Sequence, residues 1–416
     1  MKADEKMSAR LTEMVGSENL LCDEAASSSY GGEDFSPRWA VFPGTVEEIG
    51  EVVDYCRKES LSIVPTGNGS KMGMGGILKR GDVVLSTKRV NHVVDQDCEN
   101  LTITVESGAL FSEIQKRMAE EGIGYFVPLD PPFTEASTLG GILAANSSGP
   151  KRLLYGTARD LVLGMKVVLA DGKTISCGGK TVKNVAGYDM SKLFIGSLGT
   201  LGLIVEATFR LLPLPESEET AIAAFSKGET AFEVSREILK SQLIPSSIEV
   251  LNPRMIREID AKLLPEEGDY ILAAGIEGVK EAVQRQIKDV EEICNRFRPK
   301  ERGRLSGKEQ EKFWKAVRDS GLILRARFPQ SVVLKVNVPI SKTGQVFGLS
   351  ESAAREEGIP SALSSHGGSG ILQVALLLDQ PGSVSDGTVK VIDQLIRHAA
   401  EADGNLISYG SACVLH

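Results

Sequence analysis

The amino-acid sequence predicts an α+β protein with two domains, one over residues 1–214 with its core at 35–214, and one over 215–416. Three observations predict this organisation. The chain has 416 residues, which is more than one hydrophobic core ordinarily holds. Three glycine-dense segments lie among strand and helix patterns in the first half, at 65–76, 138–149 and 196–202. A polar, proline-bearing stretch at 212–220 reads as a linker, and strand and helix patterns alternate beyond it.

The first half carries helix and strand signals in alternation. Thr45 precedes apolar residues at helical spacing, and Glu48 follows three residues later, as a capping box requires. Runs rich in β-branched residues and bounded by polar residues predict strands. We therefore expect helices at 45–57, 111–121 and near 138–145, and strands at 61–65, 83–86, 101–106, 163–169 and 203–211.

The second half repeats a strand–helix–strand pattern twice. This pattern favours a mostly antiparallel sheet covered by helices on one face. The expected strands are 221–225, 247–251, 270–276, 332–338, 361–365 and 370–378. The expected helices are 231–239, 255–264, 279–295, 344–356 and 389–402.

Composition excludes several classes of function. The net charge is −9 and no basic stripe is visible, so we expect no nucleic-acid partner. The first ten residues are charged throughout and lack the apolar centre of a secretory signal. No apolar run approaches the ~20 residues that span a bilayer. We expect a cytoplasmic protein without a transmembrane segment, whose contact with a membrane would come through partners.

Cysteine and histidine usage argues against a metal centre. The six cysteines are scattered and none forms a Cys-x-x-Cys pair, so neither an iron–sulfur cluster nor structural zinc is expected. There are only four histidines, His92, His366, His398 and His416, which leaves little for a histidine metal site. We predict no bound metal and reduced cysteines.

The glycine-dense segments are candidates for close contact between main chain and a ligand. Successive N–H groups after a strand, in 65–76, could surround phosphate oxygens. This segment does not match a dinucleotide fingerprint, since Met72 stands where the third glycine belongs, and no Gly-Lys-Ser/Thr closes a Walker loop. Taken alone, it would more often be a flexible surface turn. The segment 138–149 could equally be tight helix packing, so the argument depends on all three segments occurring in order.

Five blocks of the first half follow one another in an order typical of one flavoprotein superfamily: 65–70, 105–108, 138–149, 155–172 and 187–204. In this order they resemble the FAD-binding domain of the vanillyl-alcohol oxidase/p-cresol methylhydroxylase (PCMH) superfamily. Shorter phrases of the second half are similar to the FAD-binding (E) subunit of bacterial glycolate oxidase complexes, at 244–253, 313–318, 334–339 and 366–372. The resemblance implies a two-lobed PCMH-type FAD-binding domain followed by an α+β cap domain with an antiparallel sheet and covering helices.

The resemblance also implies noncovalent FAD and the residues that hold it. The pyrophosphate would lie on Pro65, Thr66, Gly67, Asn68, Gly69 and Ser70. The pyrophosphate, ribityl chain and isoalloxazine would pass along Asp130, Pro131, Thr138, Gly140, Gly141, Asn146, Ser147, Ser148 and Gly149. The adenine or the ring system would lie against Gly199, Leu201, Gly202, Ile204 and Val205. Relatives with covalent FAD carry His in the phosphate loop or Cys further along, and no such nucleophile stands here.

Three residues are candidates for catalysis. To oxidise a 2-hydroxy acid, a flavoprotein removes the hydroxyl proton and holds the carboxylate, often with a histidine base and an arginine fork. His366 could be a lone base, or a structural histidine beside a Gly-Gly-Ser-Gly turn. Tyr188 could face the flavin or be a polar loop residue, and Arg318 could bind a carboxylate or form a surface ion pair. The histidine cluster around a divalent metal that catalytic relatives carry is missing.

Three functions remain open at this point. The first is a FAD-carrying subunit of a complex that oxidises glycolate or D-lactate, with a sister FAD-linked catalytic subunit and an iron–sulfur subunit as partners. The second is a self-sufficient FAD dehydrogenase for a hydroxy acid or alcohol. The third is a structural flavin-binding subunit without turnover. Since the chain has no cysteine cluster, electrons that leave its flavin need an external acceptor.

Overall fold

A computed structural model describes residues 3–30, 35–74, 80–120, 124–179, 188–259, 268–379 and 384–408. The chain forms two compact units. The first unit consists of the described residues within Met1–Met72, Ile77–Ser148 and Gly156–Leu214. The second unit takes residues 73–74, Gly149–Tyr155 and the described residues from Pro215 on. As functional domains, 1–214 and 215–416 stay predictions.

The first half of the chain alternates short strands and helices, numbered along the sequence. Its strands are β1 Leu20–Cys22, β2 Trp39–Val41, β3 Ile63–Thr66, β4 Val83–Ser86, β5 Val93–Asp97, β6 Thr102–Glu106, β7 Tyr125–Phe126, β8 Val162–Val168, β9 Thr174–Gly178, β10 Leu203–Arg210 and β11 Leu212–Pro213. Its helices are α1 Ala3–Val15, α2 Asp23–Tyr30, α3 Val46–Lys58, α4 Phe111–Glu120, α5 Leu139–Ala144, α6 Arg152–Tyr155, α7 Ala158–Leu161 and α8 Ser191–Phe194, with a 3-10 turn at Ser17–Asn19.

Two main sheets build the first unit. The mixed sheet has the order β1-β2-β4-β3, and the antiparallel sheet has the order β5-β6-β10-β8-β9. The mixed sheet packs with α1 and α3 around Trp39, Ile49 and Leu85, which are buried. The antiparallel sheet packs with α4 and α5 around Phe111 and Phe209. The first unit therefore has two main cores, and the one around Trp39 also takes Val168 and Val205 from the antiparallel sheet.

Local signals account for these elements. The Thr45 side chain caps α3 by accepting a hydrogen bond from the Glu48 N–H at 3.1 Å. The Glu48 carboxylate does not close the expected capping box on Thr45, because it accepts from the Gly44 N–H at 2.7 Å instead. On the neighbouring strands β6 and β10, Thr104 and Thr208 stand opposite each other, and their buried hydroxyls lie 2.9 Å apart.

The second half contains longer elements. Its strands are β12 Ser217–Phe225, β13 Ser247–Leu251, β14 Tyr270–Gly278, β15 Glu301–Ser306, β16 Val332–Asn337, β17 Ser361–His366, β18 Ile371–Leu376 and β19 Asn405–Ser408. Its helices are α9 Gly228–Lys240, α10 Pro253–Glu258, α11 Lys280–Arg296, α12 Gly307–Arg318, α13 Ser320–Arg327, α14 Thr343–Glu356 and α15 Asp386–Glu401, with a 3-10 turn at Ile340–Lys342.

One antiparallel sheet of eight strands organises the second unit. Its order is β15-β12-β14-β13-β17-β18-β16-β19. Alternate residues of β12 point to opposite faces: Ala223 packs in the core shared with α9, α11, α14 and α15, whereas Ile222 packs in a second core with α10, α12 and α13. The prediction of an antiparallel sheet is confirmed. The expectation that helices cover only one face is wrong, because α12 and α13, which the sequence patterns did not predict, lie on the other.

The expected linker at 212–220 is also wrong. Leu212 and Pro213 pair with β7 as a short strand, and β12 begins at Ser217. Of the expected helix at 255–264, residues 260–264 lie outside the described residues. No helix in the described part of the chain is long and apolar enough to cross a membrane.

Candidate functional site

In the first unit, the first glycine-dense segment, 65–76, contacts the start of α5. We call this segment the phosphate loop. The Asn68 amide donates to the Ala136 carbonyl at 3.1 Å, and the Lys71 ammonium donates to the Ser137 hydroxyl at 2.7 Å. A β-carbon at position 67 would collide with the Thr138 hydroxyl. Only glycine allows the main chain to come this close, so the first glycine segment is held against the second. Residues 75 and 76 of the first segment lie outside the described residues.

The third glycine segment contacts both of the others. At the end of α5, the N–H groups of Gly196 and Leu198 donate to the Leu143 and Ala144 carbonyls at 3.0 and 2.9 Å. Gly199 has a φ of +77°, and a β-carbon there would lie 2.5 Å from the Pro65 Cγ. The three glycine segments that the sequence singled out therefore converge in the first unit, although as many as 134 positions separate Pro65 from Gly199 (199 − 65).

The chemistry of this convergence fits an extended polar ligand. The Ser107 hydroxyl, the Asn146 amide oxygen and the Ser197 hydroxyl are buried without a hydrogen-bond partner among the described residues. Such atoms are costly to bury unless a ligand or water pairs with them. Bare main chain, hydroxyls and the Lys71 ammonium are the groups that hold phosphates and ribityl hydroxyls in proteins. The residues present fit the flavin nucleotide that the resemblance implies.

Several predicted cofactor residues have structural roles of their own. Thr66 ends β3, Thr138 caps α5, and the Thr134 hydroxyl donates to the Pro131 carbonyl at 2.7 Å. Ile204 and Val205 are buried in the two cores of the first unit. Their predicted contact with the cofactor would therefore have to come from main-chain atoms. Leu201, by contrast, is exposed.

In the second unit, the register of the sheet gathers polar side chains on one face. His366 stands opposite Glu249, and Gln373 stands opposite Lys335. Alternation along the strands puts all four on the face that carries the α12 and α13 core. The Gln373 amide donates to the Ser320 hydroxyl at 3.0 Å. A polar surface thus lies within a mostly apolar sheet.

The Glu249–His366 pair joins a fully buried carboxylate to a partly exposed imidazole. The Glu249 side chain is 0% exposed and the His366 side chain 20% exposed. The Glu249 Oε1 is hydrogen-bonded to the His366 Nδ1. His366 is thus oriented by a hydrogen bond to a buried carboxylate, and not only by the neighbouring glycine turn.

The segment Gly149–Tyr155 places a lysine and a tyrosine against another buried carboxylate of the same sheet, that of Glu277 on β14. The Lys151 ammonium lies 2.6 Å from the Glu277 Oε2, and the Tyr155 hydroxyl donates to the Glu277 Oε1. The Glu277 side chain is only 2% exposed. Burial, and then the Glu277 charge, raise the pKa of Tyr155 well above its usual range. The tyrosine is therefore a stable hydrogen-bond donor at neutral pH.

Lys335 is a half-buried cation on this face. Burial, and to a smaller extent the positive charge of Arg152, lower the pKa of Lys335 to about 8. The positive charge of Arg152 therefore acts on the same part of the second unit as that of Lys335.

The other catalytic candidates are placed differently. Tyr188 lies on the surface of the first unit with 97% of its side chain exposed. Arg318 ends α12 and forms an ion pair with Asp319, with its Nε 3.5 Å from the Asp319 Oδ1. The Arg318 Nε is buried and has no hydrogen-bond partner among the described residues. Sequence reasoning missed Glu249, Lys335 and Glu277. Glu249 and Lys335 each interrupt an apolar β-branched run, and that was the signal that could have found them.

Comparisons with known proteins bear on both units. Residues 37–178 match the FAD binding domain family, and residues 214–408 match the family of C-terminal domains of FAD linked oxidases. The chain is 32% identical over 380 residues to the glycolate oxidase subunit GlcD of Bacillus subtilis, covering 89% of this chain and 80% of that protein. It is 29% identical to a probable mitochondrial D-lactate dehydrogenase of Danio rerio, over 97% of this chain and 83% of that protein.

A solved structure shares the fold. The structure of p-cresol methylhydroxylase with substrate bound superimposes with a TM-score of 0.79 at 16% identity. The match covers 97% of this chain and 89% of that one. At this identity the likeness is one of fold, and it agrees with the PCMH-type architecture that the sequence predicts.

Proposed function

The chain belongs to the family of FAD-linked oxidases, and we propose that it works as the FAD-carrying subunit of a complex that oxidises a small 2-hydroxy acid. The observation that carries this proposal is the 32% identity to the glycolate oxidase subunit GlcD over 80% of that protein's length. FAD is the cofactor of this chain, and when bound it supplies the acceptor for the two electrons of the oxidation.

The first unit would hold FAD without a covalent bond. The phosphate loop offers Asn68 and Ser70 but neither His nor Cys. The main chain around Gly67 and Gly199, together with the unpaired Ser107 and Asn146 oxygens, supports noncovalent contact with phosphate and ribityl oxygens.

The second unit would hold the carboxylate of the substrate. The positive charge of the half-buried Lys335 supports recognition of a small anion such as glycolate or D-lactate. The ammonium of Lys335 would be held in its charged form by the bound carboxylate. The neutral Gln373 amide beside it could orient the hydroxyl group.

Electrons would leave this chain for partner subunits. The six cysteines are scattered along the sequence and do not form a cluster motif. We infer a sister FAD-linked subunit and an iron–sulfur subunit as partners. The test is co-purification from the native source, followed by identification of the attached chains and by anaerobic mixing with glycolate and D-lactate.

The outcomes separate this function from its competitors. Flavin that stays oxidised in the isolated chain and becomes reduced when the partners are added supports a carrier subunit. A chain that purifies without partners and is reduced by the hydroxy acid alone contradicts it. If the complex still oxidises its substrate after the FAD of this chain has been removed, this chain has only a structural role in the complex.

A second function has one observation in its favour. The buried Glu249 carboxylate is bonded to His366, which is the arrangement of a histidine base and its orienting acid. This favours a self-sufficient dehydrogenase in which His366 removes the hydroxyl proton. Anaerobic reduction of the isolated chain by D-lactate, lost in H366N, would establish it.

A further inference from the structure

A single carboxylate interrupts a strand that is otherwise apolar or small. All five residues of β13 are buried, and Glu249 is the only charged one among them. Moving a carboxylate into such a place is unfavourable unless it is paired. The partner of Glu249 therefore decides how its charge is compensated.

The partner is one nitrogen of an imidazole. The Glu249 Oε1 is bonded to the His366 Nδ1, and the Glu249 Oε2 has no hydrogen-bond partner among the described residues. Within the described part of the chain, no hydrogen bond is made by the His366 Nε2. The two ring nitrogens therefore have different surroundings: one faces a buried anion, and the other belongs to a side chain that is still 20% exposed.

We propose that Glu249 is a positioning residue that fixes the tautomer of His366. Its carboxylate accepts a hydrogen bond from the Nδ1–H group, so the neutral imidazole keeps Nε2 unprotonated and able to accept a proton. When Nε2 takes the hydroxyl proton of a 2-hydroxy acid, the ring becomes an imidazolium and the Glu249 carboxylate balances the new charge. The use as a base rests on the second function proposed above, whereas the tautomer does not.

Histidine-selective ¹⁵N labelling of the full, FAD-loaded chain tests this directly. The chain has only four histidines, so the imidazole spectrum is simple and H366N assigns the signal of His366. At a pH where the ring is neutral, we expect the proton on Nδ1, although free imidazole side chains favour Nε2 in water. A proton on Nε2 in the wild-type chain overturns the proposal. This outcome does not depend on the folding of any variant.

A variant separates the role of Glu249 from general packing. E249M keeps most of the buried volume but removes the acceptor, and we expect the His366 proton to move to Nε2. The signal of His398, which lies on α15, should not change in the same sample and serves as the internal control. An unchanged Nδ1 proton in E249M would overturn the proposal.

The same samples keep the two proposals apart. A fixed Nδ1 proton in a chain that D-lactate does not reduce supports the positioning role of Glu249 and removes the self-sufficient dehydrogenase. A fixed Nδ1 proton together with flavin reduction that is lost in both H366N and E249M supports both. The tautomer thus reports on Glu249 whether or not this chain turns over substrate.

Discussion

Gly67 lies against Thr138 so closely that any side chain at position 67 would overlap the Thr138 hydroxyl. This contact joins the phosphate-loop segment to the cap residue of α5. Since both segments are proposed to hold FAD, the spacing between them determines the shape of the binding surface.

G67A should therefore lose FAD. The methyl group must push the loop away from Thr138, and we expect at least tenfold weaker binding, which is about 1.4 kcal/mol. The measurement is the flavin content of the purified chain and the titration of the apoprotein with FAD. G179A is the matched control, because a β-carbon there meets no described residue within 4 Å. Equal FAD affinity in G67A and the wild type would contradict the prediction.

Lys335 should make anion binding depend on pH. Its ammonium loses its proton as pH rises through about 8, so a small carboxylate should bind more weakly above that pH than below it. The measurement is isothermal titration calorimetry of the loaded chain with oxalate, which has no hydroxyl to oxidise. K335M should bind weakly at every pH, while K342M, at an exposed lysine, should behave as the wild type. The same pH profile in K335M and the wild type would argue against a role for Lys335.

Tyr155 should stabilise the second unit through Glu277. Y155F removes the hydroxyl that donates to a buried carboxylate, and we expect a loss of about 2 kcal/mol in the free energy of unfolding. Fluorotryptophan labelling gives two resonances, and that of Trp314 reports on the second unit alone. Y188F, at a side chain that is 97% exposed, should change stability by less than about 0.5 kcal/mol. Equal losses in the two variants would contradict this assignment.

The free energy of unfolding should fall as rising pH ionises the Glu351 carboxyl. Burial raises the pKa of Glu351, although hydrogen bonds from the Asn252 amide and the Tyr270 hydroxyl, both at 2.9 Å, oppose that shift. Its contribution is complete below the unfolded value of about 4.3 and is lost as pH rises through the folded value. Relative to E351Q, the wild type should become less stable from pH 4 to pH 8, as followed by the Trp314 resonance in urea. A constant difference over that range would show that the carboxyl does not titrate as described.

Local signals predicted much of the fold, because they depend on neighbours in sequence. β13 is found at the predicted 247–251, and α3 begins after its predicted Thr45 cap. The expected linker fails for a different reason. Leu212 and Pro213 pair with β7, which lies far away in sequence, and such pairing leaves no local mark.

The candidate site could be predicted only in part for the same reason. The glycine segments were visible, because close main-chain contact requires glycine wherever it occurs. The Glu249–His366 pair joins residues 117 positions apart, and the register of β13 on β17 alone brings them together. His366 was therefore a candidate, but its acid partner was not.

The Gly149–Tyr155 segment limits how the protein can be dissected. Its position in the sequence is within the first half, yet its Lys151 and Tyr155 side chains complete the surroundings of Glu277 on β14. A fragment that starts at residue 215 would leave that carboxylate buried without its cation, and a fragment that stops at residue 214 would expose the two side chains to water. Separate expression of the halves would thus damage both, even though each has its own core.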